Sequence, residues 1–414
     1  MAKNRILVAG ATLLAAAMAL TACGTRAEEG GGGAEGGAGG GGGETKTAVI
    51  GVVAPLSGDL APLGLGIQHS VELAVQQANE SGAIPGWTLE VQPEDDQATP
   101  DVGRNAATSL SSDADVVAMV GPLNSSVGQA VQPVFDAAGI LQVSPANTNP
   151  SLTRGANFDT APERTYPTYF RTCTTDSIQG PFAARYLYET AGITRIATVH
   201  DKKAYGQGLV EAFSAEFEEL GGEIVAAETI NPEDDNFSAV ITSVGSGDPE
   251  ALYYGGEYPQ SGPLSQQMKA AGLDIPLMGG DGMYSPEYIE LAGEQSEGDL
   301  ATSVGAPVED LPSAQQFVTD YEAAGFPDPY EAYGAYSYDA AQAVIEALKV
   351  SLPEAETAED AREATVEAMA SVSFEGATGP VAFDEFGDNT TRILTAYKVE
   401  GGAWVADQTD EFED

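Results

Sequence analysis

Residues 48–79 read AVIGVVAPLSGDLAPLGLGIQHSVELAVQQAN, and this stretch decides the fold. Val49 to Ala54 is a short apolar run of the kind that forms a buried strand. From Ile67 to Ala78, apolar residues then recur at helical spacing. The stretch therefore predicts a strand followed by a helix, which is the repeating unit of parallel α/β folds.

The same alternation continues along the chain and restarts once. The first series has further predicted strands at 87–91, 116–120 and 139–143, with helices at 102–110 and 127–137. After a loop at 145–167, a second series has strands at 195–200, 223–230, 251–255 and 275–278, with helices at 205–220, 237–244 and 263–271. Two such series predict an α/β protein with two doubly wound, Rossmann-like lobes. A ligand cleft is expected between them, beyond the carboxyl ends of the parallel strands.

The first 23 residues have the features of a secretion signal. Two basic residues precede an apolar stretch at 6–20 that is too short to span a bilayer comfortably. Residues 20–23 (LTAC) resemble the bacterial lipobox, in which the cysteine is acylated and becomes the new N-terminus. The resemblance implies a lipoprotein signal peptide at 1–23 and a lipid anchor at Cys23. The alternative is an ordinary signal peptide with a chance cysteine.

The next segment, 24–45, is dominated by Gly, Ala and Glu. Such a composition cannot bury enough apolar surface to fold, so we predict a disordered tether with a reach of about 25 Å. The roughly 370 residues that follow exceed a typical single core and favour two domains.

The charge balance restricts the partners. The chain has 63 acidic and 17 basic residues, a formal net charge of -46. This charge repels nucleic acid and anionic lipid surfaces, so neither is expected to bind the body of the protein. We interpret the acidic residues as a solvated surface, and high-salt adaptation stays open. If Cys23 carries lipid, Cys173 has no intrachain partner and no disulfide is expected.

The sequence gives little support for a catalytic site or a metal site. The chain has two histidines, His69 and His200, and no phosphate-loop or nucleophile-elbow motif. The glycines at 64–66 begin a helix but lack the third glycine of a dinucleotide fingerprint. We therefore predict a protein that is not an enzyme and needs neither metal nor cofactor.

Two strands of the first series end in loops rich in small hydroxyl and backbone donors. Ser125 follows the strand at 116–120 and precedes a helix, where free amides and the helix dipole attract an anion. Ala146, Asn147 and Thr148 follow the strand at 139–143. Each loop serves equally well as a helix cap or turn, so capping and ligand contact both stay open.

In the second series, Asp281 lies among glycines after a strand. Its carboxylate suits a cationic ligand group, although glycine neighbours also favour a simple turn aspartate. Tyr205 and Tyr258 come just after strands as well, where aromatic rings either line a ligand or pack against the opposite lobe. The residues thus favour an anion site on one lobe that faces a cation site on the other.

Taken in order, several segments resemble the leucine/isoleucine/valine-binding proteins of branched-chain amino acid ABC importers, which have the type I periplasmic binding fold. These segments are VAPLSG at 53–58, Arg171 with DSIQG at 176–180, VHDK at 199–202 with YG at 205–206, YYGG at 253–256, GDG at 280–282, and GP at 379–380 with FD at 383–384. The resemblance extends from about Ala48 to Lys398.

The resemblance implies roles for the loop residues. Ser125 and Thr148 would hold the ligand carboxylate, while the carbonyl of Ala146 and the carboxylate of Asp281 would hold its ammonium group. An amino acid would then be bound by both lobes at once.

The resemblance leaves the character of the side-chain pocket open. Tyr205, with Glu257 or Tyr258, would close over the ligand side chain, and Leu63 replaces an aromatic residue on the rim of the first lobe. Asn124 replaces a cysteine of some relatives. Because Asn147 and Glu257 add polar groups near the site, a purely aliphatic pocket stays open to question.

The family's chain path crosses between the lobes three times. We expect the first lobe at 46–172 and 306–378, the second at 173–305 and 379–409, and an acidic tail at 410–414. Closure about a hinge would accompany ligand binding.

The sequence as a whole predicts the solute-binding component of an ABC importer, a monomer that is lipid-anchored on the extracytoplasmic face of the cell membrane. It would capture a branched-chain or related amino acid and deliver it to the membrane permease. A binding protein for an amide, urea or other small polar solute is one alternative, and a sensory ligand-binding lipoprotein is another. A secreted hydrolase is disfavoured because no nucleophile has an evident base.

Overall fold

The computed structural model describes residues 45–412. The predicted signal peptide, the lipid anchor at Cys23, the tether up to residue 44 and residues 413–414 lie outside the described residues. Within 45–412, no helix combines the length and the apolar character needed to cross a bilayer.

A five-stranded sheet of parallel strands forms the first layered unit. Its strands are β1 (Lys46–Ala54), β2 (Trp87–Asp95), β3 (Val116–Val120), β4 (Leu141–Ser144) and β5 (Tyr169–Arg171), in the order β2-β1-β3-β4-β5. The connecting helices are α1 (Ala61–Ser81), α2 (Pro100–Ser111), α3 (Ser125–Ala137) and the short α4 (Ser151–Arg154).

A second sheet contains seven strands. They are β6 (Arg195–His200), β7 (Glu223–Thr229), β8 (Ala251–Gly255), β9 (Leu277–Gly279), β10 (Leu300–Ser303), β13 (Ile393–Glu400) and β14 (Ala403–Glu411), in the order β14-β13-β10-β9-β8-β6-β7. The strands β6 to β10 are parallel, whereas β13 and β14 add an antiparallel edge. Between them in sequence, β11 (Ser373–Gly376) and β12 (Gly379–Ala382) form a separate hairpin.

The remaining helices follow the same chain order. They are α5 (Asp176–Arg185), α6 (Ala204–Glu219), α7 (Ser238–Ser246), α8 (Tyr258–Ala270), α9 (Pro286–Ala292), α10 (Gln315–Ala324), α11 (Gly334–Ser351) and α12 (Ala358–Met369). A π-helical turn at Tyr186–Thr190 extends α5, and 3₁₀ turns occur at Asp281–Met283, Gly293–Ser296, Val308–Asp310 and Leu352–Glu354.

The strand β1 shows why the first sheet has helices on both faces. Because successive side chains of a strand point to opposite faces, Ile50 packs in one core cluster with Ile67 of α1. Val49 packs in another cluster with Val127 of α3. Both strand residues are buried. A parallel strand covered on both faces reads as a continuous apolar run, which is the pattern seen in the sequence.

The fourth strand of the first sheet begins later than predicted. Gly139 has a φ of 67°, in the left-handed region that glycine adopts without strain, and turns the chain after α3. The strand β4 therefore begins at Leu141 rather than at residue 139.

The end of the chain differs from the sequence expectation. The prediction of an acidic tail at 410–414 is wrong for its first residues, because β14 extends to Glu411. Asp410 pairs with Leu394 and Glu411 with Ile393 of β13. Charged side chains suit this position, since they discourage an exposed edge strand from pairing with other chains.

The chain returns to the first sheet after β10. The helix α11 packs against α1, β3 and β4. Asp339 of α11 accepts hydrogen bonds from the backbone amides of Ala377 and Thr378 in the β11–β12 turn, at 2.7 and 2.8 Å. The chain after β10 thus packs against the first sheet again.

Candidate functional site

A narrow cavity lies between the carboxyl ends of strands from both sheets. Its lining residues are Leu63, Leu123, Asn124, Ser125, Ala146, Tyr205, Glu257, Asp281, Gly282 and Tyr333. The volume is about 10 Å³, room for about one water molecule. Most of the predicted site residues meet in this ligand cavity, namely Leu63, Ser125, Ala146, Tyr205, Glu257 and Asp281.

Three predicted site residues are buried behind this lining. The side-chain amide of Asn147 donates to the carbonyls of Pro122 and Leu123, at 3.0 and 2.8 Å, and so joins two loops of the first sheet. Thr148 is fully buried. The hydroxyl of Tyr258 donates to the carbonyl of Asp59, which joins the second sheet to the loop after β1.

Ser125 lies at the N-terminal end of α3. The N-cap of this helix is Asn124, so the alternative interpretation of Ser125 as the N-cap is wrong. The Ser125 hydroxyl accepts a hydrogen bond from the backbone amide of Asn149 at 3.4 Å. The first amides of a helix have no partner within the helix, and its dipole is positive at this end. This corner of the cavity is therefore suited to a carboxylate.

Ser144, at the end of β4, shapes the neighbouring loop. Its hydroxyl accepts hydrogen bonds from the amides of Ala146 and Asn147, at 3.2 and 2.9 Å. It also donates to the carbonyl of Pro122 at 2.9 Å. These bonds hold Ala146 at the cavity wall beside the start of α3.

Arg171 holds the same loop in place through hydrogen bonds. It is fully buried and donates to the carbonyls of Asn147 and Asn149 and to the hydroxyl of Thr153. Its guanidinium is 2.8 Å from the carboxylate of Asp388. Burial alone would lower the pKa of Arg171, but the nearby acidic groups, of which Asp388 has the largest effect, together outweigh it and raise the pKa. Because its charge is already compensated, Arg171 is a structural support rather than a carboxylate ligand.

Asp281 begins the 3₁₀ turn after β9 and is buried. Its carboxylate accepts hydrogen bonds from the hydroxyls of Tyr205 and Tyr333, both at 2.7 Å, and from the amide of Gln179 at 2.9 Å. Burial raises the pKa of Asp281, and the three donors oppose that rise. Across residues 45–412, the side chains bonded to this carboxylate are neutral. When ionised, Asp281 is thus suited to a cation.

A second buried carboxylate, Asp176, lies behind Asp281. The Gln179 amide that binds Asp281 is 3.4 Å from an oxygen of Asp176. Burial, and next the charge of Asp281, raise the pKa of Asp176 to about 8, although the Thr148 hydroxyl and Arg171 oppose the rise. Asp176 therefore keeps its proton to a higher pH than an ordinary aspartate, which reduces the negative charge next to Asp281.

Glu257 also faces the cavity but has its own cation. Its carboxylate is 2.9 Å from the ammonium of Lys203 and accepts a 2.7 Å hydrogen bond from the amide of Asn124. Burial alone would raise the pKa of Glu257, but Lys203 and Asn124 outweigh it and lower the pKa. The charge of Glu257 is thus compensated from within the protein. The bond from Asn124 also crosses the cavity from the first sheet to the second.

Two of the side chains that donate to Asp281 were missed by sequence reasoning. Tyr333 is the N-cap of α11 and reaches Asp281 only because the chain returns to the first sheet after β10. No local pattern connects the two positions. Gln179 lies three residues after Asp176 on one face of α5, and this spacing was a usable signal.

Comparison with known proteins agrees with this architecture. A family model described as periplasmic binding protein matches residues 47–403. The Leu/Ile/Val-binding protein homolog 1 of Brucella melitensis biotype 1 is 32% identical over 355 residues, which cover 86% of this chain and 91% of that protein. The chain belongs to the periplasmic binding protein family.

Solved structures resemble this periplasmic binding protein over most of its length. The leucine binding protein LivK of Thermotoga maritima has a TM-score of 0.77 and 27% identity, covering 87% of this chain and 98% of that one. Another is the branched-chain amino acid transporter substrate binding protein LivJ of Streptococcus pneumoniae in complex with isoleucine. It has a TM-score of 0.77 and 27% identity, and the match covers 88% of this chain and 99% of that one. The predicted type I fold with two α/β lobes is confirmed. The family is one of extracytoplasmic solute-binding proteins, a non-enzymatic class.

Proposed function

We propose that this periplasmic binding protein captures a branched-chain or related amino acid for an ABC importer. One observation carries the proposal: Ser125 at the start of α3 and Asp281 after β9 line the same cavity from opposite sheets. An α-amino acid carries a carboxylate and an ammonium group on one carbon, and the two ends of the cavity suit these groups. The Leu/Ile/Val-binding relatives and the isoleucine complex of LivJ support the same ligand class.

The carboxylate would bind at the first-sheet end of the cavity. The Ser125 hydroxyl and the first amides of α3 supply donors there, and Thr148 is buried in the loop after β4. The ammonium would bind Asp281, with the carbonyl of Ala146 as a second acceptor. Charge-assisted hydrogen bonds of this kind are about twice as strong as neutral ones, so they would provide much of the affinity.

The ligand side chain would occupy the rest of the cavity. Leu63, Leu123 and the ring of Tyr205 offer apolar surface. Glu257 and Asn124 form a polar boundary on the other side, held by their mutual hydrogen bond. A medium-sized aliphatic side chain suits the apolar part.

Ligand entry requires the cavity to open, because about 10 Å³ is far less than the volume of an amino acid. The hydrogen bonds from Asn124 to Glu257 and from Tyr333 to Asp281 cross this space. Both must break when the cavity opens. We propose that two lobes move about a hinge. The first comprises 46–172 and 306–378, and the second comprises 173–305 and 379–409, with the end of β14 at Glu411 added to it. A ligand that contacts both lobes would favour the closed form.

The proposal includes a location and a partner. Cys23 would carry the lipid that anchors the protein on the extracytoplasmic face, with the segment up to residue 45 as a flexible tether. The body would act as a monomer and deliver its ligand to the membrane permease. The same closure would also suit a sensory partner, and measured uptake of the ligand distinguishes transport from sensing.

Calorimetric titration of the purified mature protein tests the ligand class. The panel is leucine, isoleucine and valine, with acetamide and urea as small polar solutes. We expect saturable binding of at least one of the amino acids with a Kd near the micromolar range, or roughly 8 kcal/mol. Binding of the amides alone would contradict the amino acid assignment.

A further inference from the structure

A second and much larger cavity lies beside the ligand cavity. Its volume is about 560 Å³, within the range of small-molecule sites. We call it the aromatic cavity, because its walls include Tyr284, Tyr330, Tyr336, Tyr397 and Trp404. Nothing in the proposed amino acid binding uses it.

The walls of the aromatic cavity are held in place by contacts within the protein. Tyr284 stacks on Tyr397 with ring centroids 4.1 Å apart, and its centroid is 5.9 Å from that of Trp404. The indole nitrogen of Trp404 donates to the carbonyl of Ser285 at 2.9 Å. These contacts fix the walls on this side, so the aromatic cavity is preformed there.

The charges around the aromatic cavity have one sign. Its lining includes Glu290, Glu309 and Glu331, and none of the lining residues within 45–412 is a lysine, arginine or histidine. The hydroxyl of Tyr330 donates to Glu309 at 3.2 Å, which orients that carboxylate. Carboxylates next to aromatic faces attract a cation, both by charge and through the ring quadrupoles.

Glu331 is the most constrained of these acids. Its φ of 54° is in the left-handed region, which is uncommon for a residue with a side chain. Burial, and next the charge of Glu287, raise the pKa of Glu331 to about 7. The left-handed backbone distinguishes Glu331 from Glu290 and Glu309, and the Glu331 carboxyl keeps its proton to a higher pH than an ordinary glutamate.

We propose that the aromatic cavity binds a small organic cation of the quaternary ammonium class. Such a cation suits aromatic walls and carboxylates together, whereas a neutral solute of the same shape gains nothing from the charge of the carboxylates. The same two chain segments line both cavities: Asp281 and Tyr333 face the ligand cavity, while Tyr284 and Tyr330 face the aromatic one. The inference goes beyond the amino acid binding and does not depend on it.

Fluorescence provides a direct test, since the chain has two tryptophans. In a Trp87→Phe variant, Trp404 is the only tryptophan, and it lies in the cavity wall. Tetramethylammonium chloride is titrated at constant ionic strength by replacing sodium chloride, with no amino acid present. We expect a saturable change in emission. Choline should bind at least about tenfold more tightly than 3,3-dimethylbutan-1-ol, its neutral analogue of the same shape.

Control variants locate the effect. The Trp404→Phe variant keeps Trp87, which lies at the start of β2, and should not respond. Glu331→Gln should weaken tetramethylammonium binding at least about fivefold. Glu309→Gln should weaken tetramethylammonium binding to a similar extent. Because Glu309 is exposed, this variant tests the role of the charge without a change in a buried side chain. Glu346→Gln, on α11, should have no effect.

Two results would overturn the inference. A response of Trp404 that stays linear to about 100 mM tetramethylammonium, well above the range of a weak specific site, would show that no site exists. Equal binding of choline and its neutral analogue would show that the cavity is merely apolar. Both results leave the titration with amino acids unaffected, so they are separable from a failure of the proposed function.

Discussion

The hydroxyl of Tyr333 donates a 2.7 Å hydrogen bond to the carboxylate of Asp281 across the ligand cavity. Tyr333 precedes α11, which packs on the first sheet, and Asp281 follows β9 of the second. Tyr205 and Gln179 bind the same carboxylate. These neutral donors orient the group without neutralising its charge. An ammonium group from the ligand would therefore be its natural counter-charge.

Replacement of Asp281 by asparagine should weaken leucine binding at least about tenfold, or 1.4 kcal/mol, because the buried ammonium would lose its counter-charge. Calorimetric titration measures the change. Asp274→Asn is a matched control, since Asp274 is exposed, and it should bind leucine normally. Unchanged affinity in Asp281→Asn would place the ammonium elsewhere.

Replacement of Ser125 by alanine should weaken leucine binding roughly five- to thirtyfold, because a hydroxyl that donates to the ligand carboxylate contributes about 1–2 kcal/mol. Ser126→Ala is the control: Ser126 is the next residue of α3 and does not line the ligand cavity. If both variants bind leucine as tightly as the wild type, the carboxylate does not lie at the start of α3.

Replacement of Glu257 by glutamine should change leucine affinity by less than about threefold. Lys203 already compensates the Glu257 carboxylate, so the ligand ammonium gains little from it. The measurement is the same titration that is used for Asp281→Asn. A loss in Glu257→Gln that equals the loss in Asp281→Asn would show that Glu257 holds the ammonium instead.

Asp176 predicts a pH-dependent difference in stability. Its pKa of about 8 in the folded protein exceeds the ordinary value of 3.8, so the folded state retains a proton that the unfolded chain has lost. The resulting stabilisation is complete below about pH 4 and disappears as the pH rises towards 8. Asparagine does not titrate and therefore lacks this dependence.

We accordingly expect the wild type to lose stability relative to Asp176→Asn between pH 5 and pH 8. The difference between their free energies of unfolding should shift by more than about 1 kcal/mol, measured by urea unfolding at both pH values without ligand. A difference that does not vary with pH would show that Asp176 is ionised throughout this range in the folded protein.

The anchor at Cys23 is testable although it lies outside the described residues. Cys23→Ser should abolish lipid labelling of the protein in cells and move it from the membrane fraction to the soluble fraction, because its apolar anchor is lost. Immunoblotting of both fractions measures the shift. Continued lipid labelling of the variant would rule out Cys23 as the lipidated residue.

Much of the fold could be predicted because buried parallel strands leave clear apolar runs. The predicted bounds of β3, β6 and β8 agree with the structure at 116–120, 195–200 and 251–255. The strand β5 was not predicted, since its three residues are too few to show a period.

The site could be predicted only in part. Ser125 and Asp281 each follow a parallel strand. Because ligands bind beyond the carboxyl ends of such strands, both residues could be predicted to face the cleft between the lobes. The pairing of Glu257 with Lys203 depends on side-chain geometry that sequence spacing does not determine. Tyr333 reaches the site through a chain path that only the fold reveals.

The most direct test of the account is a crystal structure of the protein with leucine bound. We expect the leucine ammonium within about 3 Å of the Asp281 carboxylate and the leucine carboxylate within hydrogen-bond distance of the Ser125 hydroxyl, on one and the same molecule. A leucine that contacts only one of these two residues, or that binds outside the space between the sheets, would contradict it.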